Sequence, residues 1–367
     1  MQADELIRSH IRSIKPYHPV KPFEILAEEL GYDAQKIVKL DANENPYGTL
    51  EAAREALSNL AYSHIYPDSQ SEILVREISK WQAVPHENLI VGSGADELID
   101  LTMRLMLDPG DTLLTSSPTF GMYSFDAAVQ NAELIDIPRN SDFTLNLDLL
   151  EQAVRKHRPK LIFLASPNNP DGSLASPELV EKMLSWPVIT VLDEAYIEFA
   201  GEQASWIDQV ARRENLIVLR TFSKWAGLAG LRVGYGAFPT SLVPHLKKIK
   251  QPYAVSVAAQ AAAIAAVKSQ GELERIGRLI VQERERLFQE LSRIGYLDPY
   301  PSKANFILCR VVGRDAEQVT AALRLKGILI RYFNKPGLQD HIRISVGKAE
   351  QTDRVIKALK QLEVRDA

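Results

Sequence analysis

The 367-residue sequence has a single cysteine, Cys309, and seven histidines that never form an HxH or HxxxH pair. A disulfide framework and a structural zinc site are therefore excluded, and a reducing compartment is expected. Long apolar runs are also missing, because the most apolar helical window, residues 255–267, is short and rich in alanine. The first residues are charged and lack the apolar core of a secretory signal. These absences predict a cytoplasmic protein with no membrane partner.

Charge of one sign is not in excess either. The chain carries 43 basic and 47 acidic residues, for a net charge of −4. Without a basic surface, nucleic acid is not expected as a partner. Hydrophobic residues make up 46% of the chain and charged residues 25%, as in an ordinary soluble globular protein. A chain of this length normally outgrows one hydrophobic core, so we expect two unequal domains.

From residue 89 onwards, short apolar segments alternate with amphipathic ones. Their pattern predicts strands at 89–91, 112–114, 134–137, 161–165, 188–192 and 216–219. It predicts helices between them, at 95–107, 120–129, 147–156 and 176–184. Such β-then-α units predict an α/β domain with a mostly parallel sheet covered by helices. In sheets of this kind, ligands bind outside the carboxyl ends of the strands.

After residue 253 the pattern changes to that of a smaller α+β domain. Strands are predicted at 305–309, 328–331 and 342–346, with helices at 256–267, 272–293, 317–325 and 350–362. We therefore predict three parts of the chain. Residues 1–40 would be an amino-terminal arm and helix associated with the small domain, 41–255 the large domain, and 256–367 the small domain.

Lys224 is the most informative residue of the sequence. It follows the apolar segment 216–219 and precedes glycines at 227, 230 and 234, which allow a close approach of the backbone. A charged amine at the end of a buried strand is costly unless its pKa is lowered or its nitrogen is bonded to something. An amine that is neutral part of the time is a candidate Schiff-base former. The alternative is an ordinary surface lysine, which an isolated Ser–Lys pair favours.

Polar motifs follow several of the other predicted strands. Residues 92–97 end a strand and open a helix, where backbone N–H groups can bind phosphate, and Ser223 and Arg232 could bind the same anion. Asp193 ends another strand and would need a cationic partner, such as a protonated pyridine nitrogen. Taken singly, these are ordinary caps, turns, surface charges or core residues. Their joint occurrence at successive strand ends predicts one site, which three further side chains could complete: Asn169, Tyr196 and Phe120.

Taken together, these motifs resemble the fold-type I pyridoxal-phosphate aminotransferases over nearly the whole chain. The resemblance is carried by residues 15–17, 41–46, 66–67, 94–97, 166–170, 193–196, 221–232 and 343–347. The amino-terminal pieces resemble the histidinol-phosphate branch of that superfamily. The resemblance implies a large domain with a mostly parallel sheet, a small α+β domain, pyridoxal 5'-phosphate as cofactor, and a homodimer with shared active sites.

The resemblance also implies roles for individual residues. Lys224 would bind the cofactor aldehyde as a Schiff base and then shuttle a proton, and Asp193 would keep the ring nitrogen protonated. Asn169 and Tyr196 would bond the 3'-oxygen of the cofactor, and Phe120 would stack on its ring. The phosphate end would be lined by Ala95, Asp96 through its backbone N–H, Ser223, Arg232 and, from the neighbouring subunit, Tyr66. The substrate side would be lined by Tyr17, Asn43, Tyr253, Arg331 and Arg343.

The reaction that the resemblance implies has two halves. Glutamate gives its amino group to the cofactor and leaves as 2-oxoglutarate, and imidazole acetol phosphate takes the amino group to become histidinol phosphate. Asp171 departs from the usual threonine of the family and is expected to add negative charge near the site entrance. Three alternatives remain open: a threonine-phosphate decarboxylase-like lyase, an aromatic aminotransferase, and a non-catalytic binding protein on the same fold.

Overall fold

A computed structural model describes residues 2–16 and 22–364 of the chain. The strands, in chain order, are β1 (Val38–Leu40), β2 (Leu89–Gly92), β3 (Thr112–Thr115), β4 (Glu133–Asp136), β5 (Leu161–Ala165), β6 (Ile189–Asp193), β7 (Leu216–Thr221), β8 (Gly234–Ala237), β9 (Leu297–Pro299), β10 (Phe306–Val311), β11 (Ile328–Tyr332) and β12 (His341–Ser345). The α-helices are α1 (Ser9–Ser13), α2 (Phe23–Leu30), α3 (Glu51–Ser58), α4 (Glu72–Gln82), α5 (Ala95–Met106), α6 (Met122–Gln130), α7 (Leu147–His157), α8 (Pro177–Leu184), α9 (Val243–Ile249), α10 (Val257–Lys268), α11 (Gln270–Leu291), α12 (Ala316–Arg324) and α13 (Ala349–Val364).

The larger sheet has seven strands in the order β2-β8-β7-β6-β5-β3-β4. Neighbouring strands from β7 to β4 pair in parallel, whereas β8 runs antiparallel to both β2 and β7. Both faces of this sheet are covered, because alternate residues of β5 enter different cores: Ile162 and Leu164 one core, Leu161 and Phe163 the other. The predicted α/β class with a mostly parallel sheet is confirmed.

The smaller sheet has five strands in the order β1-β11-β12-β10-β9. Strand β1 pairs in parallel with β11, and the other pairs are antiparallel. The three-residue strands β1 and β9, and the glycine-rich β8, were not predicted from the sequence. Each is too short or too poor in β-branched residues to give a clear pattern, so tertiary pairing decides its conformation.

Two predicted helices, α8 and α10, begin one residue later than expected, because the serine before each of them is a cap. The hydroxyl of Ser176 accepts a hydrogen bond from the Leu179 N–H, and that of Ser256 accepts one from the Ala259 N–H. Helix α10 packs against α3 and α4. The domain boundaries near residues 40 and 255 stay predictions. Among the described residues, no helix is long and apolar enough to cross a bilayer.

Candidate active site

A cleft of about 1620 Å³ opens where the carboxyl ends of the parallel strands face the smaller sheet. The residues that follow β3, β5, β6 and β7 line one wall, and residues of β11 and β12 line the other. The predicted site residues that border this cleft are Asn43, Ala95, Asp96, Phe120, Asn169, Asp193, Tyr196, Ser223, Lys224, Arg232, Arg331 and Arg343. Asn43, Arg331 and Arg343 were expected here from the resemblance, and the others also from their positions at strand ends; the roles of all of them stay predictions.

Lys224 lies just beyond β7, with its amine inside the cleft. Its Nζ donates to the carbonyl oxygen of Ala42 at 3.1 Å. Burial lowers the pKa of this amine to about 8, and the nearby Arg343 guanidinium acts in the same direction. The neutral, nucleophilic form is therefore much more abundant at neutral pH than it is for an exposed lysine. The side chain can attack an aldehyde.

Asp193 is the last residue of β6 and is only 4% exposed. Its Oδ2 accepts from the Tyr123 hydroxyl at 2.6 Å, and its Oδ1 accepts from the Ala195 N–H at 3.0 Å. Burial raises the pKa of this carboxyl to about 6, and the two hydrogen bonds oppose that rise. Asp193 is therefore mostly ionised at neutral pH and suits a buried cationic heterocycle. Tyr123 was missed in the sequence, since nothing local links it to Asp193.

A buried ion pair between Glu194 and Arg220 links the two chain segments that carry Asp193 and Lys224. Glu194 follows Asp193 directly, and its Oε2 accepts from Nε of Arg220 at 3.0 Å. Arg220 lies on β7, four residues before Lys224, and both of its ion-pair partners come from the segment after β6. Removing either partner of such a pair would leave an uncompensated buried charge. The pair thus holds the two functional strand ends side by side.

The amino end of α5 forms a cup of polar groups with Ser223 and Arg232. Gly94 precedes the helix with φ of +83°, and a Cβ at this position would lie 2.5 Å from Nη2 of Arg232. Arg232 donates from Nη2 to Asp96 Oδ2 at 2.7 Å and lies 3.5 Å from the Ser223 hydroxyl. N–H groups at a helix start, a hydroxyl and a guanidinium are the donors that bind phosphate. The Asp96 carboxylate binds Arg232 here. The expected role of the Asp96 backbone N–H in binding phosphate stays a prediction.

Three further predicted side chains, Asn169, Tyr196 and Phe120, border the same cleft. The Asn169 Oδ1 accepts from Nη1 of Arg343, and the Tyr196 hydroxyl accepts from Nδ2 of Asn43 at 3.1 Å. Burial raises the pKa of the Tyr196 phenol, so this group stays protonated and can donate. Phe120 lies edge-to-face against Tyr123, with ring centroids 5.7 Å apart. The set offers two donors and one flat apolar face to a planar ring.

The wall formed by the smaller sheet presents two arginines. Arg331 and Arg343 are directly opposite each other in the β11–β12 register. Both guanidinium groups lie near the ring of Phe333, at 5.7 Å and 5.5 Å from its centroid. Like charges placed opposite each other destabilise a sheet unless an anion or another partner compensates them. This wall therefore suits ligands with anionic groups, and Phe333 is a cleft residue that was missed in the sequence.

Two described residues that were predicted for the site, Tyr66 and Tyr253, do not border the cleft of this single chain. Tyr66 is 79% exposed and stacks on Tyr253, with ring centroids 4.8 Å apart. Tyr17 lies outside the described residues. Asp171 does not add charge at the entrance as expected, because its carboxylate is buried and accepts from the Asn168 side chain and the Ser173 N–H. The hydrogen bonds of this short turn compensate the charge of the Asp171 carboxylate.

A cleft with a nucleophilic lysine, a buried carboxylate and a phosphate cup, on this α/β fold, defines an aminotransferase. The chain belongs to the family "aminotransferase class I and II", whose model matches residues 35–359. The resemblance noted in the sequence is confirmed.

Within this family, the chain is similar to several histidinol-phosphate aminotransferases. It is 50% identical over 358 residues to the chloroplastic histidinol-phosphate aminotransferase of Nicotiana plumbaginifolia, covering 97% of this chain and 86% of the relative. It is 47% identical over 366 residues to the histidinol-phosphate aminotransferase of Roseiflexus castenholzii, covering 97% and 98%. The solved histidinol-phosphate aminotransferase of Sinorhizobium meliloti, in complex with pyridoxal-5'-phosphate, superposes with a TM-score of 0.89 at 29% identity, covering 99% and 98%.

Proposed function

We propose that this chain is a histidinol-phosphate aminotransferase. It interconverts histidinol phosphate plus 2-oxoglutarate with imidazole acetol phosphate plus glutamate, a step of histidine biosynthesis. The observation that carries the proposal is the placement of Lys224 in one cleft with Asp193 and with the arginine pair Arg331 and Arg343. The first two residues suit amine chemistry on a pyridine cofactor, and the pair suits substrates with two kinds of anionic group.

The cofactor is pyridoxal 5'-phosphate, and the residues of the cleft fit it. The cup at Gly94, where a side chain would collide with Arg232, leaves room for a phosphate. The buried Asp193 carboxylate needs a cation, which a protonated pyridine nitrogen provides. The chemistry that this cofactor supplies is an aldehyde for binding amines and a ring that withdraws electrons from the substrate carbon. Ala95, Asp96, Ser223 and Arg232 would hold its phosphate.

Each of the central residues then has a defined task. Lys224 would hold the cofactor through its aldehyde, and its amine would move a proton at the substrate carbon. Asp193 keeps the proton on the ring nitrogen. Asn169 and Tyr196 bind the 3'-oxygen, and Phe120 stacks on the ring. A lowered pKa suits Lys224 to both tasks, because the neutral amine is both nucleophile and base.

The arginine pair accounts for the two substrates. Glutamate presents two carboxylates and histidinol phosphate presents a phosphate ester, and the planar fork of arginine matches the oxygens of both. Arg343 is held by the Asp41 carbonyl at 2.8 Å and by Asn169, so its guanidinium is fixed before substrate arrives. Asn43, Tyr17 and Tyr253 line the substrate side in this proposal.

A second copy of the chain completes the site. Tyr66 and Tyr253 belong to a group of exposed apolar side chains that also includes Tyr62, Ile65 and Ile73. Exposed aromatic side chains that stack on each other, as Tyr66 and Tyr253 do, are typical of interfaces. A homodimer would bury them and bring Tyr66 to the phosphate cup of the other subunit. The proposal includes a cytoplasmic location and the domain limits 1–40, 41–255 and 256–367.

Half-reactions test the proposal and its alternatives. Glutamate added alone to the cofactor-loaded enzyme should convert the visible band to that of the aminated cofactor, and imidazole acetol phosphate should restore it. No lasting change with glutamate, together with release of CO₂ from threonine phosphate, would favour the lyase. Faster amino transfer from phenylalanine than from histidinol phosphate would favour an aromatic aminotransferase. Failure of borohydride to fix the cofactor to Lys224 would indicate a non-catalytic protein.

A further inference from the structure

We propose that Ser345 is a positioning residue that sets, through Asn43, the direction in which Tyr196 donates its hydroxyl hydrogen. The inference rests on the proposed function, because the acceptor is the 3'-oxygen of pyridoxal phosphate. Ser345 itself lies on the smaller sheet and does not border the cleft. It acts through two other side chains.

The contact between Ser345 and Asn43 fixes the orientation of the Asn43 amide. Ser345 is 2% exposed at the end of β12. Its hydroxyl accepts from the Asn43 N–H at 2.9 Å and donates to Asn43 Oδ1 at 2.9 Å. A serine hydroxyl has one hydrogen, and here Oδ1 receives it. The Asn43 oxygen therefore faces Ser345, and its NH₂ group faces the other way.

The second contact passes this orientation to Tyr196. Nδ2 of Asn43 donates to the Tyr196 hydroxyl oxygen at 3.1 Å. The backbone of Asn43 is left-handed, with φ of 56°, a conformation that asparagine tolerates better than most residues. The Asn305 side chain, also buried, donates to the Asn43 carbonyl at 2.9 Å and holds that backbone in place. Asn43 is thus clamped on both its backbone and its side chain.

In the resulting chain of hydrogen bonds, Ser345 donates to Asn43 and Asn43 donates to Tyr196. Because the Tyr196 oxygen accepts from Asn43, the Tyr196 hydrogen is directed away from Asn43, and Tyr196 borders the cleft. A donor aimed at the 3'-oxygen stabilises negative charge on it. The charged groups that act on Tyr196 are Arg343, Asp193 and Asp96. Ser345→Ala changes none of them, whereas Asn43→Asp adds a negative charge beside Tyr196. If the Asn43 amide were free to turn over, Tyr196 would donate to it instead.

The test is the pH titration of the visible band of the cofactor-loaded enzyme. Ser345→Ala allows the Asn43 amide to turn over, which weakens donation from the Tyr196 hydroxyl to the 3'-oxygen. The pKa at which the visible band changes with pH should therefore rise by about 0.5–1 pH unit, as expected for one hydrogen bond. Asn43→Asp should raise it at least as much, because a carboxylate accepts from Ser345 and Tyr196 alike. Thr352→Val is the matched control, a buried hydroxyl on α13, and should leave the band unmoved.

A double-mutant cycle distinguishes an effect that passes from Ser345 through Asn43 to Tyr196 from a general structural effect. In a Tyr196→Phe background, Ser345→Ala should cause no additional shift. The inference is overturned if Ser345→Ala leaves the band pKa unchanged in an enzyme that binds cofactor, or if its shift persists without the Tyr196 hydroxyl. If Ser345→Ala folds poorly, Ser345→Cys, whose thiol is a weak donor, carries the same test. A wild-type chain that forms no band at all contradicts the proposed function instead.

Discussion

Replacing Tyr123 with phenylalanine should make the stability of the cofactor-free protein more sensitive to pH. The Tyr123 hydroxyl is fully buried and donates to Asp193 at 2.6 Å. Burial has raised the pKa of Asp193 to about 6, well above that of an exposed aspartate. A group whose pKa is higher in the folded state than in the unfolded state loses stability as pH rises through the folded value. Ionised Asp193 is therefore a cost at pH 8 that Tyr123 reduces.

The size of the effect follows from comparing the protonated and the ionised state of Asp193. At pH 5 Asp193 is mainly protonated, and the lost hydrogen bond is a neutral one, worth about 0.5–1.5 kcal/mol. At pH 8 it is ionised, and a hydrogen bond to a charged group is worth about 1.5–3 kcal/mol. Tyr123→Phe should therefore destabilise the fold by about 1–1.5 kcal/mol more at pH 8 than at pH 5. The same substitution raises the pKa of Asp193 further.

Urea unfolding of the cofactor-free protein at pH 5 and pH 8 measures this difference. Tyr296→Phe is a matched control, since Tyr296 is buried and donates to the uncharged Leu359 carbonyl at 3.0 Å. Its cost should be the same at both pH values. Equal destabilisation by Tyr123→Phe at pH 5 and pH 8 would refute the reasoning, because it would mean that Tyr123 does not distinguish the ionised from the protonated carboxyl.

Three further predictions concern the cleft itself. Lys224→Ala should lower the transamination rate by about 10²–10⁴-fold or more and abolish borohydride fixation of the cofactor, which intact-mass measurement reports; retained fixation would place the covalent bond on another lysine. Gly94→Ala should weaken cofactor binding about tenfold or more, because φ of +83° disfavours alanine and its Cβ would displace the Arg232 guanidinium; unchanged affinity in a cofactor titration would remove Gly94 from the phosphate cup. Arg331→Lys keeps the charge but loses the planar fork, so KM for histidinol phosphate should rise about tenfold with an unchanged visible band; an unaltered KM would assign the phosphate to other residues.

Much of the candidate site could be predicted from the sequence because of one geometric rule. The carboxyl ends of parallel strands meet at one edge of a sheet, so residues that follow buried apolar segments lie close together. Asp193, Asn169 and Lys224 each follow such a segment, and all three border the cleft. The pattern of apolar residues in the chain was sufficient for this prediction, and it did not require knowledge of any contact.

Other parts of the site were beyond the reach of the sequence because they depend on how distant elements pack. Tyr123 reaches Asp193 only because α6 packs against the larger sheet, where the Tyr123 ring also contacts that of Phe163 on β5. Phe333 and the opposed arginines depend on the register of β11 against β12.

The sequence by itself predicted most of the strands and helices and the order of polar groups at the strand ends, since these follow from local periodicity. Tertiary structure alone decided the electrostatic state of those groups. Lys224 has a lowered pKa and Asp193 a raised one because of the depth at which packing buries them and the neighbours it brings near. Tertiary structure also decided that Asp171 is enclosed in a turn and that Ser345, far along the chain, contacts Asn43. Burial and contact between distant residues are properties of the packed chain, so no local pattern records them.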